Sequence, residues 1–365
     1  MSYWNRLKEK AFLQYLQWKT RPALIRRYLD RKGIKPAGTL RTIDSRRVRV
    51  AAAQVELRLV QDPLAYVEQM CHHVQAAVEQ GAQLVTFPED NATHLLGLLP
   101  GLGDLPPGAT LTGTLNQLGP EVKVADIFAY LTPVSRSVYF TTFAELARRF
   151  ELFVMAGSIV AASDQGRVTN TAYLFGPDGQ LVGAQEKLHL LPLEAEWGLV
   201  PGSELRVIPS PLGKLAMPVC MDATYFETFR LLSLMGAEIV MIPSADVVYT
   251  HWKALRGIWP RVQESLVYGI KSALIARDFF GLNLAGKSCI CAPMELTPQG
   301  DGMLAEAQSH DREEVVVADM DLEALRDLRA SSRLWGDLNL VLYKRYLPGV
   351  YRVQPPSLVS TTPSP

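Results

Sequence analysis

Three short segments each carry a reactive side chain to the end of an apolar, strand-like run. Lys214-Leu215-Ala216-Met217-Pro218-Val219-Cys220-Met221-Asp222 ends in a thiol, with a carboxylate two residues on. Leu84-Val85-Thr86-Phe87-Pro88-Glu89 stops at Pro88 and presents Glu89, and Gln185-Glu186-Lys187-Leu188-His189-Leu190-Leu191-Pro192 sets Lys187 among apolar neighbours. A thiol, a carboxylate and an amine at separate strand ends are the parts that covalent acyl transfer needs. Taken singly, each has a plainer explanation: Cys220 as a small buried hydrophobe, Lys187 as a surface lysine closing a strand.

In this order the three segments resemble the carbon-nitrogen hydrolase (nitrilase) superfamily, whose members use a Glu-Lys-Cys set. The resemblance extends to Val48-Arg49-Val50-Ala51-Ala52-Ala53-Gln54-Val55 as a first strand and to the hairpin Thr169-Asn170-Thr171-Ala172-Tyr173-Leu174-Phe175-Gly176-Pro177-Asp178-Gly179. Gly236-Ala237-Glu238-Ile239-Val240-Met241-Ile242-Pro243-Ser244 reads like the next strand, followed by a helix with Arg261 and Glu264. It covers roughly residues 47 to 322. It implies an α/β fold, the four-layer α-β-β-α sandwich of the nitrilase type, and pairing through one face into homodimers or larger homo-oligomers. It also implies a further glutamate shortly after the lysine. Glu194 and Glu196 both fall near that spacing, and Glu194 is preferred.

On this reading Cys220 is the nucleophile. A free thiol has a pKa of ~8.5 and must be activated. Glu89 would take its proton, pass it to the departing amine and then activate water, which requires a carboxylate whose pKa burial has raised towards the working pH. Lys187, with the N–H of Cys220 or Met221, would stabilise the oxyanion. Asp222 is expected to order the turn after the nucleophile, and Arg261 with Glu264 to form an ion pair along a helix. The predicted activity is hydrolysis of a non-peptide C–N bond in a small amide through a cysteine thioester. Nitrilase or acyltransferase chemistry would share the site, and a non-catalytic scaffold bound through a basic arm is the alternative of another class.

Competing constellations are weaker. His189 and His251 would need folding to bring them to Cys220. His72-His73 beside Cys71 lacks a metal-ligand spacing, Gly101-Leu102-Gly103 opens no dinucleotide loop, and Cys289-Ile290-Cys291 fits core packing. No cofactor and no metal are expected.

The elements that must hold these residues follow from pattern. At 365 residues, 48% hydrophobic, 20% charged and net charge zero, the chain has the composition of an ordinary globular protein, and nothing in the total points to nucleic acid. The four cysteines lack a disulfide spacing and no apolar leader segment is present, so a reducing, cytoplasmic setting is expected. Residues 1–47 hold thirteen Lys and Arg against three Asp and Glu. Three parts are predicted: a basic amphipathic helical arm over 1–46, kinked at Pro22; the hydrolase domain over 47–342; and a tail over 343–365. The arm is expected to dock, burying Trp4, Phe12, Tyr15 and Trp18 on its own domain or on a second subunit, with a membrane-surface contact through residues 1–33 as the rival. Strands are expected at 48–55, 83–87, 153–160, 239–243, 273–277, 288–292 and 315–320, and helices at 63–80, 141–150, 225–235 and 260–268. The apolar loop 95–120 is expected to form a lid or pocket wall, and the stretch 249–259 to line the pocket.

Overall fold

The computed structural model describes residues 3–34, 43–44, 46–102, 108–110, 113, 123–332 and 339–352, without the side chains of 3–9, 255 and 256. Most of the expected loop over 95–120 and the end of the tail from 353 lie outside the described residues. In chain order the first elements are α1 (Tyr3–Lys19), α2 (Pro22–Arg31), β1 (Val48–Glu56), α3 (Pro63–Glu79), β2 (Leu84–Thr86), α4 (Val124–Phe150), β3 (Phe153–Ala162), β4 (Val168–Phe175) and β5 (Leu181–Glu186). Then come α5 (Pro192–Glu196), β6 (Ile208–Ser210), β7 (Gly213–Ala216), α6 (Phe226–Leu234), β8 (Ile239–Ser244), α7 (His251–Arg256) and α8 (Ile258–Ser265). The last are β9 (Tyr268–Phe279), β10 (Leu282–Leu284), β11 (Cys289–Cys291), β12 (Met303–Glu306), β13 (Glu314–Met320), α9 (Leu322–Ser331) and α10 (Leu340–Val350). Two compact units divide the chain, residues 1–325 and 326–365. The first is the α/β body and the second contains α10, which exposes Leu340, Val341 and Tyr346.

Alternation along the strands builds the layers. In β1, Val48, Val50 and Ala52 enter one core while Ala51, Ala53 and Val55 enter another. The same split separates Phe153 and Met155 from Val154 and Ala156 in β3, and Ile239 and Met241 from Val240 and Ile242 in β8. A period of two with both faces apolar describes a strand sandwiched between layers. One half of the sheet system runs β5-β4-β3-β2-β1, with β13 antiparallel to β1; the other runs β9-β8-β7-β6, with β11 and β12 beyond β9. Their facing surfaces meet in the shared core, α2, α3 and α4 cover the first half, and α6 and α8 cover the second. This is the four-layer α-β-β-α arrangement that the family resemblance implies.

Two helices differ from expectation. The one expected over 141–150 is 27 residues long and begins at Val124, carrying Pro133 within it. The one expected over 260–268 is Ile258–Ser265; Leu266, at φ 47°, caps it in the left-handed conformation, and Tyr268 already starts β9.

The arm docks through aliphatic more than aromatic side chains. Leu16, Ile25 and Leu29 are buried in the core that α3 and α4 share. Around them Arg26 pairs with Glu145 at 2.8 Å, Asp30 with Arg149 at 2.8 Å, and Lys32 with Glu68. Two arm cations and one arm carboxylate therefore face opposite charges of its own body. Of the two expected ways of covering them, burial on the chain's own domain is not found for Tyr15 and Trp18, which are 53% and 60% exposed. They lie three apart on the opposite face of α1 and stack at 6.3 Å. Phe12 is half-buried, and the side chain of Trp4 lies outside those described. Leu29→Ala should therefore lower stability by ~2–5 kcal/mol, whereas Trp18→Ala should stay within ~0.5 kcal/mol of wild type. Equal effects in urea unfolding would contradict the docked arm.

Candidate active site

Glu89 is placed by a backbone device. Gly157 of β3 adopts φ +77°, and a Cβ there would lie 1.9 Å from the Pro88 carbonyl oxygen, so only glycine allows the two chains to approach. The β3–β4 register shifts between Met155 and Ser158, as at a bulge. Ser158 N–H then donates to Pro88 O at 3.2 Å, and Ser158 Oγ accepts from Asp90 N–H at 3.0 Å. The chain leaves Glu89 through Asp90 at φ 55°, and the Glu89 side chain is turned inwards and 3% exposed.

Lys187 immediately follows β5. Its Nζ donates to Glu89 Oε1 at 2.8 Å and to Glu194 Oε1 and Oε2 at 2.8 and 2.7 Å. The Leu191 N–H fixes Glu194 Oε2 at 2.7 Å across the first turn of α5. Glu196, two residues later, is exposed. The geometry thus sets Glu194 against the lysine and leaves Glu196 apart.

Cys220 follows β7 by four residues and opens a 3-10 turn, Cys220–Thr224, at φ 46°. A non-glycine residue in this region carries backbone strain and persists only where its surroundings enforce it. Asp222 does the enforcing. Fully buried, it accepts from Val219 N–H at 2.9 Å within the turn and from Leu188 and His189 N–H at 3.1 and 2.8 Å in the lysine segment. One carboxylate therefore ties the thiol turn to the lysine strand. His189 Nδ1 also meets Asp222 at 2.8 Å and its ring packs on Tyr225, which accounts for this histidine without the thiol.

Two partners of Glu89 carry no signal in the sequence. Asn170 Nδ2 donates to Glu89 Oε1 at 3.0 Å and to Asp90 Oδ1 at 3.3 Å, and Ala245 N–H donates to Glu89 Oε2 at 3.0 Å. Asn170 lies inside the hairpin segment quoted above, but its side chain reaches Glu89 only through the β3–β4 pairing.

Burial, opposed by Lys187 and reinforced by Glu194, holds the Glu89 carboxyl above its ordinary pKa. Asp90 is raised further by burial and by Glu89. Burial alone would lower Lys187, but the carboxylates of Glu89 and Glu194 outweigh it and keep the ammonium charged. Burial and the neighbouring Glu89 charge push the Cys220 thiol well up, so it rests protonated. Cys220 and Met221 line a cavity of about 340 Å³ whose walls include Ala245, Asp246, Tyr249, Lys253, Ile258 and Lys271. The stretch 249–259 contributes to that wall as expected; none of the described residues of 95–120 does, and Leu95, Leu96 and Leu98 are core. Among the described residues no group of three or more His, Cys, Asp or Glu could hold a metal ion.

The carbon-nitrogen hydrolase family profile matches residues 49–330. The chain belongs to this family. Among its relatives, a probable hydrolase of Bacillus subtilis is 26% identical over 288 residues, 77% of this chain but 51% of that one, so the match spans about half of the Bacillus protein. An omega-amidase of Xenopus tropicalis is 28% identical over 272 residues, 71% of this chain and 84% of its own. Among solved structures, a mutant amidase from Nesterenkonia sp. AN1, with the acetamide moiety of fluoroacetamide added covalently at its active site cysteine, superposes with a TM-score of 0.60. That match is 19% identical and covers 85% of this chain and all of the other, a likeness of fold.

Proposed function

We propose that this carbon-nitrogen hydrolase is an amidase that cleaves a small amide through a thioester on Cys220, with Glu89 as proton carrier and Lys187 as oxyanion donor. The observation that carries the reading is the single buried cluster in which Glu89, Lys187 and Glu194 lie within 2.8 Å contacts beside a cavity lined by Cys220. Amidase relatives support the choice of an amide over a nitrile. Since Cys220 rests as a thiol, attack is coupled to proton transfer: the S–H proton moves to Glu89 as sulfur bonds to the carbonyl carbon. The lysine has three N–H donors, which Glu89 and the two oxygens of Glu194 occupy in the resting site; as the substrate oxygen gains charge, it takes over one of the two directed at Glu194. Glu89 then protonates the leaving nitrogen, the C–N bond breaks, and the same carboxylate takes a proton from the water that opens the thioester. Asn170 and the Ala245 N–H keep Glu89 oriented throughout, and Glu194 holds Lys187. Homodimeric or larger assembly and a cytoplasmic setting accompany this reading; no described helix is long and apolar enough to cross a membrane.

Incubation with a panel of amides, nitriles and ureas, with and without added amine, tests it. Ammonia release from amides is expected; preference for nitriles, or acyl transfer to amine in place of hydrolysis, would assign the site to the other chemistries. The pH profile is a second check. Glu89 must be ionised to accept the thiol proton, and acidification protonates it. Because its pKa is raised, kcat/KM should begin to fall at a pH above the ordinary glutamate value of ~4.3. Lys187 remains charged to high pH and contributes no alkaline limb near neutrality. An acid limb at or below the ordinary value would remove Glu89 from the proton path.

A further inference from the structure

The cavity that receives Cys220 has a second charged feature besides the Glu-Lys-Cys cluster. Lys271 stands in β9 opposite Ile242 of β8 on one side and Cys289 of β11 on the other. Its side chain is 14% exposed and its Nζ donates to Asp246 Oδ2 at 2.6 Å. Asp246 lies two residues past β8, directly after the residue whose N–H holds Glu89, and is 38% exposed. Both line the cavity with Cys220, and the Asp246 charge helps to raise the thiol there. Burial alone would lower Lys271, but Asp246 overrides it, so a charged ammonium sits in the wall.

The pair is unsaturated on both sides. An ammonium has three N–H donors, and among the described residues Nζ gives one, to Asp246; Asp246 Oδ1 accepts from none. Lys253, the other charged lining residue, is exposed. A ligand carrying only a carboxylate would meet Lys271 but lie against Asp246, and one carrying only an ammonium would meet the reverse conflict. A ligand carrying both satisfies the free donors and the free acceptor together, with charge-assisted bonds in each direction.

We propose that Lys271 and Asp246 form the acyl-side subsite of this cavity and select an acyl group that ends in a zwitterionic amino-acid head, its carboxylate on Lys271 and its ammonium on Asp246. The substrate class is then the primary side-chain amide of an amino acid. This rests on the amidase reading and deepens it.

The test compares four five-carbon primary amides with the full chain: pentanamide, glutaramic acid, 5-aminopentanamide and glutamine. Ammonia release is measured for each, and separately the protection each gives Cys220 against alkylation by iodoacetamide. Glutamine should exceed each of the other three in kcat/KM and in protection by roughly ten- to a hundredfold, the scale of hydrogen bonds to charged groups. Lys271→Met should collapse its advantage over 5-aminopentanamide, and Asp246→Asn its advantage over glutaramic acid. Protection in the expected order without ammonia release would keep the subsite and sink the amidase reading. Pentanamide hydrolysed and protecting as well as glutamine would sink the subsite and keep the amidase. Because the wild-type series is decisive by itself, a variant that fails to fold leaves the outcome readable. Glutaramic acid preferred over glutamine would also overturn the proposal, since Asp246 would then play no part in selection.

Discussion

Replacing Cys220 with alanine should reduce amide turnover by on the order of 10⁴-fold or more, to the floor of the assay, because no other group is positioned to form the covalent intermediate. The fold should survive. Cys220 borders a cavity and only touches the edge of the shared core, so removing its sulfur extends an existing space, and the Asp222 bonds that hold the turn go to backbone N–H groups. Alanine also keeps the φ 46° position no more strained than cysteine does. The companion measurement is alkylation followed by mass spectrometry of the four thiols. Cys71, Cys289 and Cys291 are 7%, 6% and 0% exposed, and burial pushes the Cys71 thiol up to about 11. Acidity and access disagree at Cys289, whose thiol is held low by the Cys291 hydrogen bond. Access should decide, since Cys289 lies within the core under α6 and α8 whereas Cys220 opens on the cavity beside a base. Dominant labelling of Cys289, or retained turnover in the alanine variant, would end the thiol mechanism.

The strands and the three reactive residues are legible in the sequence for the same reason. The central strands are apolar on both faces, so Val48–Val55 or Ile239–Pro243 stands out as a short unbroken run, and whatever polar residue ends the run is conspicuous. Where structure depends on distant partners the signal vanishes. Asn170 reads as an ordinary turn-forming residue, and the N–H of Ala245 has no side chain to announce it; both act on Glu89 only once β3, β4 and β8 are assembled. Gly157 looks like one more small residue in a strand until Pro88 is brought to its α-carbon. The first half of α4 is hidden by Pro133 and by Thr132 and Ser135, which disfavour helix locally. The fold turns one of these to use: Thr132 Oγ1 donates to Phe128 O at 2.7 Å and accepts from Ala162 N–H at 2.8 Å. The aromatic stripe of the arm misleads because periodicity marks an amphipathic helix without saying which apolar face is covered, and α1 covers Leu16 in preference to Tyr15 and Trp18.

Glu89→Gln and Lys187→Met should each lower turnover by at least about a hundredfold, the scale of losing one proton carrier or one oxyanion donor. The two losses differ in kind. Glutamine keeps the shape and can still accept from Asn170, Lys187 or the Ala245 N–H through its carbonyl, but its NH₂ must face one of those donors. It cannot take the thiol proton, so alkylation of Cys220 should slow together with turnover. Methionine at 187 leaves the base in place but strips Glu89 and Glu194 of the cation between them. Two buried carboxylates then share a site without compensation, one of them retains a proton, and the acid limb of the pH profile should move to higher pH. A Glu89→Gln enzyme can show no such movement, since the titrating group is gone. Glu194→Gln should resemble a weakened Lys187→Met, whereas Glu196→Gln, at an exposed position, should leave rate and profile as they are. Near-normal turnover in Glu89→Gln or Lys187→Met on a confirmed substrate, or a larger loss at Glu196 than at Glu194, would mean that the cluster around Lys187 is structural and that the reaction runs through other groups.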